Sequence, residues 1–178
     1  MVENFSKEIP NTIDTIYDRR SVRSYLDKPV NTDLVQEILR AGMYAPSGYN
    51  RQPWHFVVFD EKDVIAKIKA MHPYASSLAT APVCIMVCGD TEKELAEGFY
   101  QVDCSAAIEN MLLAAKALGL DTCWMGIYPW VEVMENFSKT FGLPDNVKPF
   151  ALISLGYAAT KIERPSRYNE SLVHYNKW

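Results

Sequence analysis

Arginine is distributed unevenly along this sequence of 178 residues, and its placement points to one kind of chemistry. The seven arginines all lie before position 52 or after position 163: Arg19, Arg20, Arg23, Arg40, Arg51, Arg164 and Arg167. Guanidinium groups bind phosphate through paired hydrogen bonds, so two arginine clusters that meet in the folded chain would form an anion pocket. The alternative is a set of exposed ion pairs with Asp14, Asp18, Asp27 or Glu163, which would contribute little stability.

A second candidate is the loop of residues 46–54, which combines small residues, a hydroxyl and two side-chain amides. Ser47 and Gly48 allow the backbone to approach a ligand closely, and Asn50 and Gln52 carry both hydrogen-bond donors and acceptors. Such a loop suits the polar edge of a flavin or purine ring. The alternative is a turn whose side chains cap its own backbone.

Other kinds of catalytic site lack their residues in this sequence. The three histidines lie far apart, without a Glu/His pair at helical spacing, so we expect no metal site. The cysteines form no Cys-x-x-Cys pair and are expected to be reduced core thiols: Cys84, Cys88, Cys104 and Cys123. Neither a phosphate-binding loop nor a Gly-x-Gly-x-x-Gly or Gly-x-Ser-x-Gly motif occurs, which disfavours nucleoside triphosphatases, Rossmann cofactor sites and serine hydrolases.

Composition limits the partners and location of the protein. The formal net charge of −4 does not attract nucleic acid or an anionic membrane. The sequence begins without a basic and apolar secretory signal, and it has no window of about 18 apolar residues that could span a membrane. At about 150 residues per domain, we expect one domain over residues 1–178 in a cytoplasmic protein.

Hydrophobic periodicity predicts the elements that must position these residues. Helices are predicted at residues 11–18, at 33–44 with Asn31 or Thr32 as the cap, and at 61–71, 92–118 and 131–141. Strands are predicted at residues 55–59, 83–88, 122–127 and 149–157. This order of elements favours a three-layer arrangement of helices and strands.

Two features favour an oligomer. The second half of the helix predicted at residues 92–118 is apolar nearly all round and therefore needs burial on every side. The last residues carry aromatic side chains without a clear period, among them Tyr168, Tyr175 and Trp178. Such a tail packs either on its own core or around a partner subunit.

Four segments, in order and nearly spanning the chain, resemble the FMN-dependent nitroreductase family. They are RRSVRSY at residues 19–25, APSGYNRQPWHF at 45–56, GLDTCWMG at 119–126 and the tail that contains Arg167. The resemblance implies an α+β fold with three layers, α/β/α, around a central, mostly antiparallel sheet. It also implies a homodimer with FMN at the subunit interface and a C-terminal extension, residues 157–178, that wraps the partner subunit.

The resemblance also assigns residues to the cofactor. One subunit would hold the FMN phosphate, ribityl chain and pyrimidine edge with Arg19, Arg20, Ser21 and Arg23, joined by Arg167 and, as a further candidate, Arg164. The other subunit would contribute Pro46, Ser47, Gly48 and Asn50. The backbone of Trp124, Met125 and Gly126 would lie against the flavin near its reactive edge.

The sequence departs from some relatives at the carbonyl edge of the flavin. Those relatives place an Asn and a Lys there, before the second strand, whereas this chain offers Tyr74, Ser76 and Ser77. Arg23 is therefore the candidate that balances the charge on reduced FMN.

The implied activity is the reduction of nitroaromatic, quinone-like or related electron-poor small molecules by NADH or NADPH in a ping-pong cycle. The cofactor does the hard chemistry and solvent can supply protons, so no catalytic side chain is expected. The alternatives are a specialised reductase, iodotyrosine deiodinase-like or enone-reducing, and a flavin-binding or storage protein without efficient turnover. Residues 72–80 and 90–100 are the expected lids over the acceptor.

Overall fold

A four-stranded antiparallel sheet lies at the centre of the fold. The structure, a computed structural model, describes residues 12–178, so Asn11, the first residue predicted for the first helix, lies outside the described residues. The helices are α1 (Thr12–Asp18), α2 (Thr32–Met43), α3 (Lys62–Met71), α4 (Phe99–Ala117) and α5 (Val131–Phe141). The strands are β1 (Trp54–Phe59), β2 (Val83–Asp90), β3 (Asp121–Gly126) and β4 (Val147–Gly156).

The strand order is β1-β2-β4-β3, and every neighbouring pair runs antiparallel. The two central strands, β2 and β4, are buried along almost their whole length, which explains their continuous apolar sequences. A register shift between Val87 and Cys88 interrupts the β2–β4 pairing. This architecture confirms the α+β fold with an antiparallel sheet.

The sheet separates two hydrophobic cores. Along β2, Val83, Ile85 and Val87 belong to the core that contains residues of α2 and α4. The alternate residues Cys84, Met86 and Cys88 belong to the other core, with residues of α3 and α5. Because successive side chains of a strand point to opposite faces, one strand contributes to both cores. The molecule therefore has the three layers that the sequence predicts.

Helix α4 lies at the centre of the first core. It contacts α1, α2 and all four strands, and Val102 is the one exposed residue along its length, all of which the structure describes. The sequence prediction that this helix needs burial on nearly every side is confirmed within the single chain.

The predicted start of α4 is wrong. The prediction placed it at residue 92, but the helix begins at Phe99, after Gly98 in the left-handed conformation (φ 82°). The preceding carboxylates cap backbone amides instead of continuing a helix: Asp90 accepts from Glu92 N–H, and Glu94 accepts from Tyr100 N–H at 3.2 Å. Acidic side chains commonly bond to nearby backbone in this way, and this favours turns.

The segment of residues 21–25 extends the sheet at the edge of β3. The backbone amide of Val22 donates to the carbonyl of Thr122 (2.9 Å), and Leu26 N–H donates to the carbonyl of Tyr157 (2.8 Å). Val22 is buried, whereas Ser21 and Arg23 are exposed, because neighbouring side chains of an extended chain point to opposite sides. The sheet edge thus fixes the backbone of the arginine-rich segment.

The C-terminal tail does not pack on the core of its own chain. Residues 161–178 are all exposed, and the exposed fraction reaches 99% at Trp178. Of the two possibilities that the sequence left open, the structure disfavours packing on its own core.

Candidate functional site

The two ends of the chain meet at Arg20. Burial, followed by the positive charges of Arg167 and Arg19, lowers the pKa of Arg20. The guanidinium of Arg20 also donates to the backbone carbonyls of Tyr17 and Arg19. Like charges this close repel one another unless an anion lies between them. The structure therefore brings the two arginine clusters of the sequence together.

Arg19 has unused hydrogen-bonding capacity. Its Nε atom is buried and lies 3.3 Å from Oε1 of Glu109, but it makes no hydrogen bond to any of residues 12–178. A buried donor without an acceptor costs free energy, so it is more common at ligand sites than elsewhere. Arg167 forms no ion pair with the described part of the chain. Arg167 can therefore receive an anion without giving up an ion pair, whereas the charge of Arg19 is shared with Glu109.

Arg164 lies in different surroundings. Its guanidinium forms ion pairs with Asp14 (2.9 Å) and Asp18 (2.8 Å), whose hydrogen bonds raise the pKa of Arg164. The pKa of Asp18 is lowered, chiefly by its hydrogen bond from Arg164. The exposed pairing that the sequence allowed as an alternative is present at this arginine.

A cavity of about 450 Å³ lies at the C-terminal end of β3. Its lining consists of Arg23, the strand residues 123–126 and three residues of the segment before β2, namely Pro73, Tyr74 and Ser76. Arg23 is the one charged residue among them. The structure thus places Arg23 with Trp124, Met125 and Gly126, as the resemblance implies.

The segment before β2 is fastened to the end of β3 by two side chains. Ser77 is buried and its hydroxyl donates to Sδ of Met125 (3.1 Å), and Nε2 of His72 lies 2.8 Å from the carbonyl oxygen of Gly126. Of the three residues expected at the carbonyl edge of the flavin, Tyr74 and Ser76 line the cavity, whereas Ser77 faces the core.

The loop of residues 46–52 has a strained backbone. Tyr49, Asn50 and Gln52 have φ angles of 48°, 56° and 48°, in the left-handed region that non-glycine residues rarely adopt. Such conformations cost on the order of 1–3 kcal/mol each and cluster at functional sites. Two hydrogen bonds within the loop maintain its strained backbone: Gln52 N–H donates to Ser47 Oγ (3.0 Å), and Gln52 Nε2 donates to Asn50 Oδ1 (3.1 Å).

Helix α4 anchors the same loop. Oδ1 of buried Asp103 accepts from the backbone amide of Gly48 at 3.0 Å, while Oδ2 has no hydrogen-bond partner among residues 12–178. Gly48 lies so close to Phe99 that a Cβ atom there would come within 2.9 Å of its ring. A second cavity lies beside Arg20, and Arg164 and Lys116 also line it. Pro46, Ser47, Gly48 and Asn50 line neither this cavity nor the one at β3.

Sequence reasoning did not identify Asp103 or Glu109 as part of this region, and it included His72 only as the first residue of an expected lid, residues 72–80. Asp103 carried a signal, because a carboxylate in an otherwise apolar helix needs a hydrogen-bond donor. No sequence signal indicated the two hydrogen bonds of His72, because its backbone partners depend on how distant segments pack.

The four cysteines behave as core residues. All four cysteines are free and buried, and burial raises the pKa of Cys84 and of Cys88 to about 12, so neither is a ready nucleophile.

No group of three or more metal-ligating side chains occurs in residues 12–178. None of the helices in the described part of the chain is long and apolar enough to cross a membrane.

Comparison with known proteins identifies the class to which this fold and site belong. The family model of the nitroreductase family matches residues 16–72 and 67–157, so the chain belongs to the nitroreductase family. A protein of Methanothermobacter thermautotrophicus with the provisional name NADH dehydrogenase/NAD(P)H nitroreductase is 39% identical over 168 residues. The match covers 94% of this chain and 88% of that protein.

Solved structures show the same fold. A crystal structure from Bacteroides thetaiotaomicron, with the same provisional name, is 41% identical and superposes with a TM-score of 0.89, covering 94% of this chain and 98% of that one. A provisionally named nitroreductase from Desulfovibrio desulfuricans was crystallised in complex with FMN. It is 32% identical, with a TM-score of 0.80 over 97% of this chain and 99% of its own.

Proposed function

We propose that this protein is an FMN-dependent oxidoreductase that uses NADH or NADPH to reduce nitroaromatic, quinone-like or related electron-poor small molecules. The observation that carries the proposal is the meeting of the two arginine segments: Arg20 Nε donates to the backbone carbonyl of Glu163 in the tail (3.4 Å), and Arg20 and Arg164 line one cavity. The FMN complex of the Desulfovibrio desulfuricans relative supports the choice of cofactor. Membership of the nitroreductase family supports the reaction class.

The residues present fit FMN. A phosphate dianion would relieve the repulsion between the guanidinium groups. We assign the phosphate to Arg19, Arg20 and Arg167, with Ser21 on the ribityl chain. Arg164 would strengthen the local positive potential less, because Asp14 and Asp18 neutralise it.

The cavity at the end of β3 would hold the reactive part of the cofactor. Bound FMN supplies two-electron transfer between the nicotinamide and the acceptor. Arg23 is the cation in this cavity, and it would stabilise negative charge that develops on the pyrimidine edge. Trp124 and Gly126 line this cavity, and their backbone would lie against the ring system. Solvent would supply protons, so we assign no catalytic side chain.

We further propose that the active form is a homodimer with FMN at the subunit interface. The loop of residues 46–50 lines neither the cavity that contains Arg23 nor the cavity beside Arg20, and we infer that it completes the site of the partner. Apolar side chains also remain exposed on the single chain, notably Tyr49 at 87% and Tyr168 at 80%. Exposed apolar surface of this kind marks an interface, and the tail of residues 157–178 would cover part of it.

The visible absorption spectrum of the FMN-reconstituted protein tests this function. Under anaerobic conditions, NADH or NADPH should bleach the flavin bands, and a nitroaromatic or quinone added afterwards should restore them. The rates of bleaching by the two nucleotides would give the preferred donor. The rates of recovery with halotyrosines, enones, quinones and nitroaromatics would separate a specialised reductase from a general one.

Two results would reject the proposal. Flavin bands that persist in the presence of both nucleotides would indicate a flavin-binding or storage protein. A protein that stays colourless after reconstitution would mean that the arginine cluster does not hold FMN.

A further inference from the structure

The feature that carries this inference is the buried histidine at the end of α3. His72 is 3% exposed, and both of its ring nitrogens have backbone partners. Nδ1 accepts a hydrogen bond from the backbone amide of Tyr74 (3.2 Å), and Nε2 lies 2.8 Å from the carbonyl oxygen of Gly126. Because Nδ1 is an acceptor here, the proton of the neutral ring is on Nε2, which donates to Gly126.

The two partners of His72 lie on different sides of the same cavity. Tyr74 belongs to the segment before β2, and Gly126 is the last residue of β3, and both residues line the cavity that contains Arg23. They are 52 positions apart in the sequence, so nothing in the local chain keeps them in register. The imidazole ring of His72 joins these two residues directly, beside a second link between the same segments, from Ser77 Oγ to Met125 Sδ.

Packing keeps the ring in place. The imidazole ring packs edge-on against two aromatic rings. Its centroid lies 6.4 Å from the ring centroid of Phe137 and 6.2 Å from that of Tyr74. Phe137 is a fully buried residue of α5, so this contact holds one side of the ring. The cavity therefore has a rigid link between its two sides.

We propose that His72 is a positioning residue for the active site, which holds the Tyr74 side of the cavity in register with the end of β3. This inference rests on the proposed function. β3 already pairs with β4 up to Gly126, so the bond from His72 fixes the carbonyl of Gly126 at the rim of the cavity. The bond to Tyr74 fixes how closely that segment covers the acceptor. His72 thus influences cofactor and substrate through two separate contacts.

Two substitutions separate these contacts. The side-chain amide of Gln places an N–H donor near the position of Nε2, so His72→Gln retains the bond to Gly126 and loses the one to Tyr74. The shorter amide of Asn places an acceptor near the position of Nδ1, so His72→Asn retains the bond to Tyr74 and loses the one to Gly126. Each variant is the matched control for the other.

The first measurement uses the protein without cofactor. Long-range ¹⁵N–¹H NMR spectra, with the His72 signal assigned by its loss in His72→Phe, should show the Nε2–H tautomer. Amide hydrogen exchange at Tyr74 should be about three- to tenfold faster in His72→Gln than in His72→Asn, as expected for loss of one hydrogen bond. An Nδ1–H tautomer, or equal exchange in the two variants, overturns the inference.

The second measurement uses the FMN-loaded protein. His72→Gln should keep the FMN Kd within about twofold and raise the KM of the acceptor about three- to tenfold. His72→Asn should raise the FMN Kd by a similar factor and shift the visible flavin bands. If both variants change the same parameter equally, the ring only fills space and the inference is wrong.

The two proposals fail in different ways. A wild-type protein that binds no FMN overturns the proposed function, and with it the functional part of this inference. An Nδ1–H tautomer in a wild-type protein that binds and reduces FMN overturns the inference alone.

Discussion

At the residue scale, Arg164 and Arg167 are three positions apart in the tail but have different surroundings. Arg164 is neutralised by Asp14 and Asp18, whereas Arg167 forms no ion pair within residues 12–178 and its charge lowers the pKa of Arg20. Residue type alone could not distinguish them. The difference predicts that Arg167 contributes more than Arg164 to the binding of an anion.

Arg167→Ala is expected to weaken FMN binding about tenfold or more, because one charge-assisted hydrogen bond to phosphate contributes about 1.5–3 kcal/mol. Titration of flavin fluorescence measures the Kd. Arg164→Ala should have a smaller effect. Arg40→Ala, which breaks an exposed pair with Glu37 on α2, is the control and should leave the Kd unchanged. Equal losses in all three variants would contradict the assignment.

Asp90 gives a prediction about pH. Burial raises the pKa of this carboxyl, but hydrogen bonds from Asn146 Nδ2 (2.9 Å) and Glu92 N–H (3.0 Å) outweigh it, so the net pKa is lowered. A carboxyl whose pKa is lower in the folded state stabilises the protein above its unfolded pKa of about 3.9. That stability is lost as the pH falls through the folded pKa.

Asp90→Asn should therefore reduce the free energy of unfolding by about 1–3 kcal/mol at neutral pH. The difference from wild type should shrink as the pH falls below about 4. Urea denaturation at a series of pH values measures it. Asp60→Asn, at an exposed carboxyl, is the control, and a difference that stays constant with pH would contradict the explanation.

At the element scale, the close packing of α4 on the sheet explains the glycine at position 89 in β2. A Cβ atom at Gly89 would come within 2.1 Å of Cδ2 of Tyr100, far below any normal contact. Tyr100 is buried and packs edge-on against Phe150 in β4, with centroids 6.2 Å apart. The glycine therefore lets the first turn of α4 approach the strand.

Gly89→Ala is expected to destabilise the protein by about 1–3 kcal/mol, because the added methyl must displace the Tyr100 ring. Thermal or urea denaturation measures the change. In a Tyr100→Ala background, the same substitution should cost much less, since the ring is gone. An equal cost in both backgrounds would show that steric contact with Tyr100 is not the cause.

At the scale of the whole molecule, the tail contacts α1 through Arg164, but its aromatic side chains stay exposed on the single chain. Residues 161–178 are exposed, including Tyr175 at 80% and Trp178 at 99%. A second copy of the chain would bury these side chains, and the nitroreductase family resemblance implies such a dimer. The tail also carries Arg167, so assembly and cofactor binding should depend on each other.

The full-length protein should sediment at twice the mass of the 20.2 kDa chain. Deletion of residues 162–178 should shift it toward the monomer and weaken FMN binding, because the deletion removes both interface area and Arg167. Sedimentation equilibrium with and without FMN measures both effects. A full-length monomer at micromolar concentration would contradict the dimer.

The sequence determined the elements and the order of the motifs. Alternating and helical hydrophobic patterns set strand and helix identity, because they are local properties, and the bounds of α5 match the prediction. Asn31 caps α2 as expected, with its side chain accepting from Asp33 N–H. The nitroreductase fold followed from motifs that retain their residues and spacing.

Only the tertiary structure decided how distant residues pair. It began α4 at Phe99, paired Arg164 with two aspartates, and joined Tyr74 to Gly126 through His72. Each of these depends on contacts between segments far apart in the chain or on competition between side chains for the same backbone group. Hydrophobic periodicity describes only the local chain. It therefore cannot predict contacts between distant segments or the competition of side chains for a backbone group.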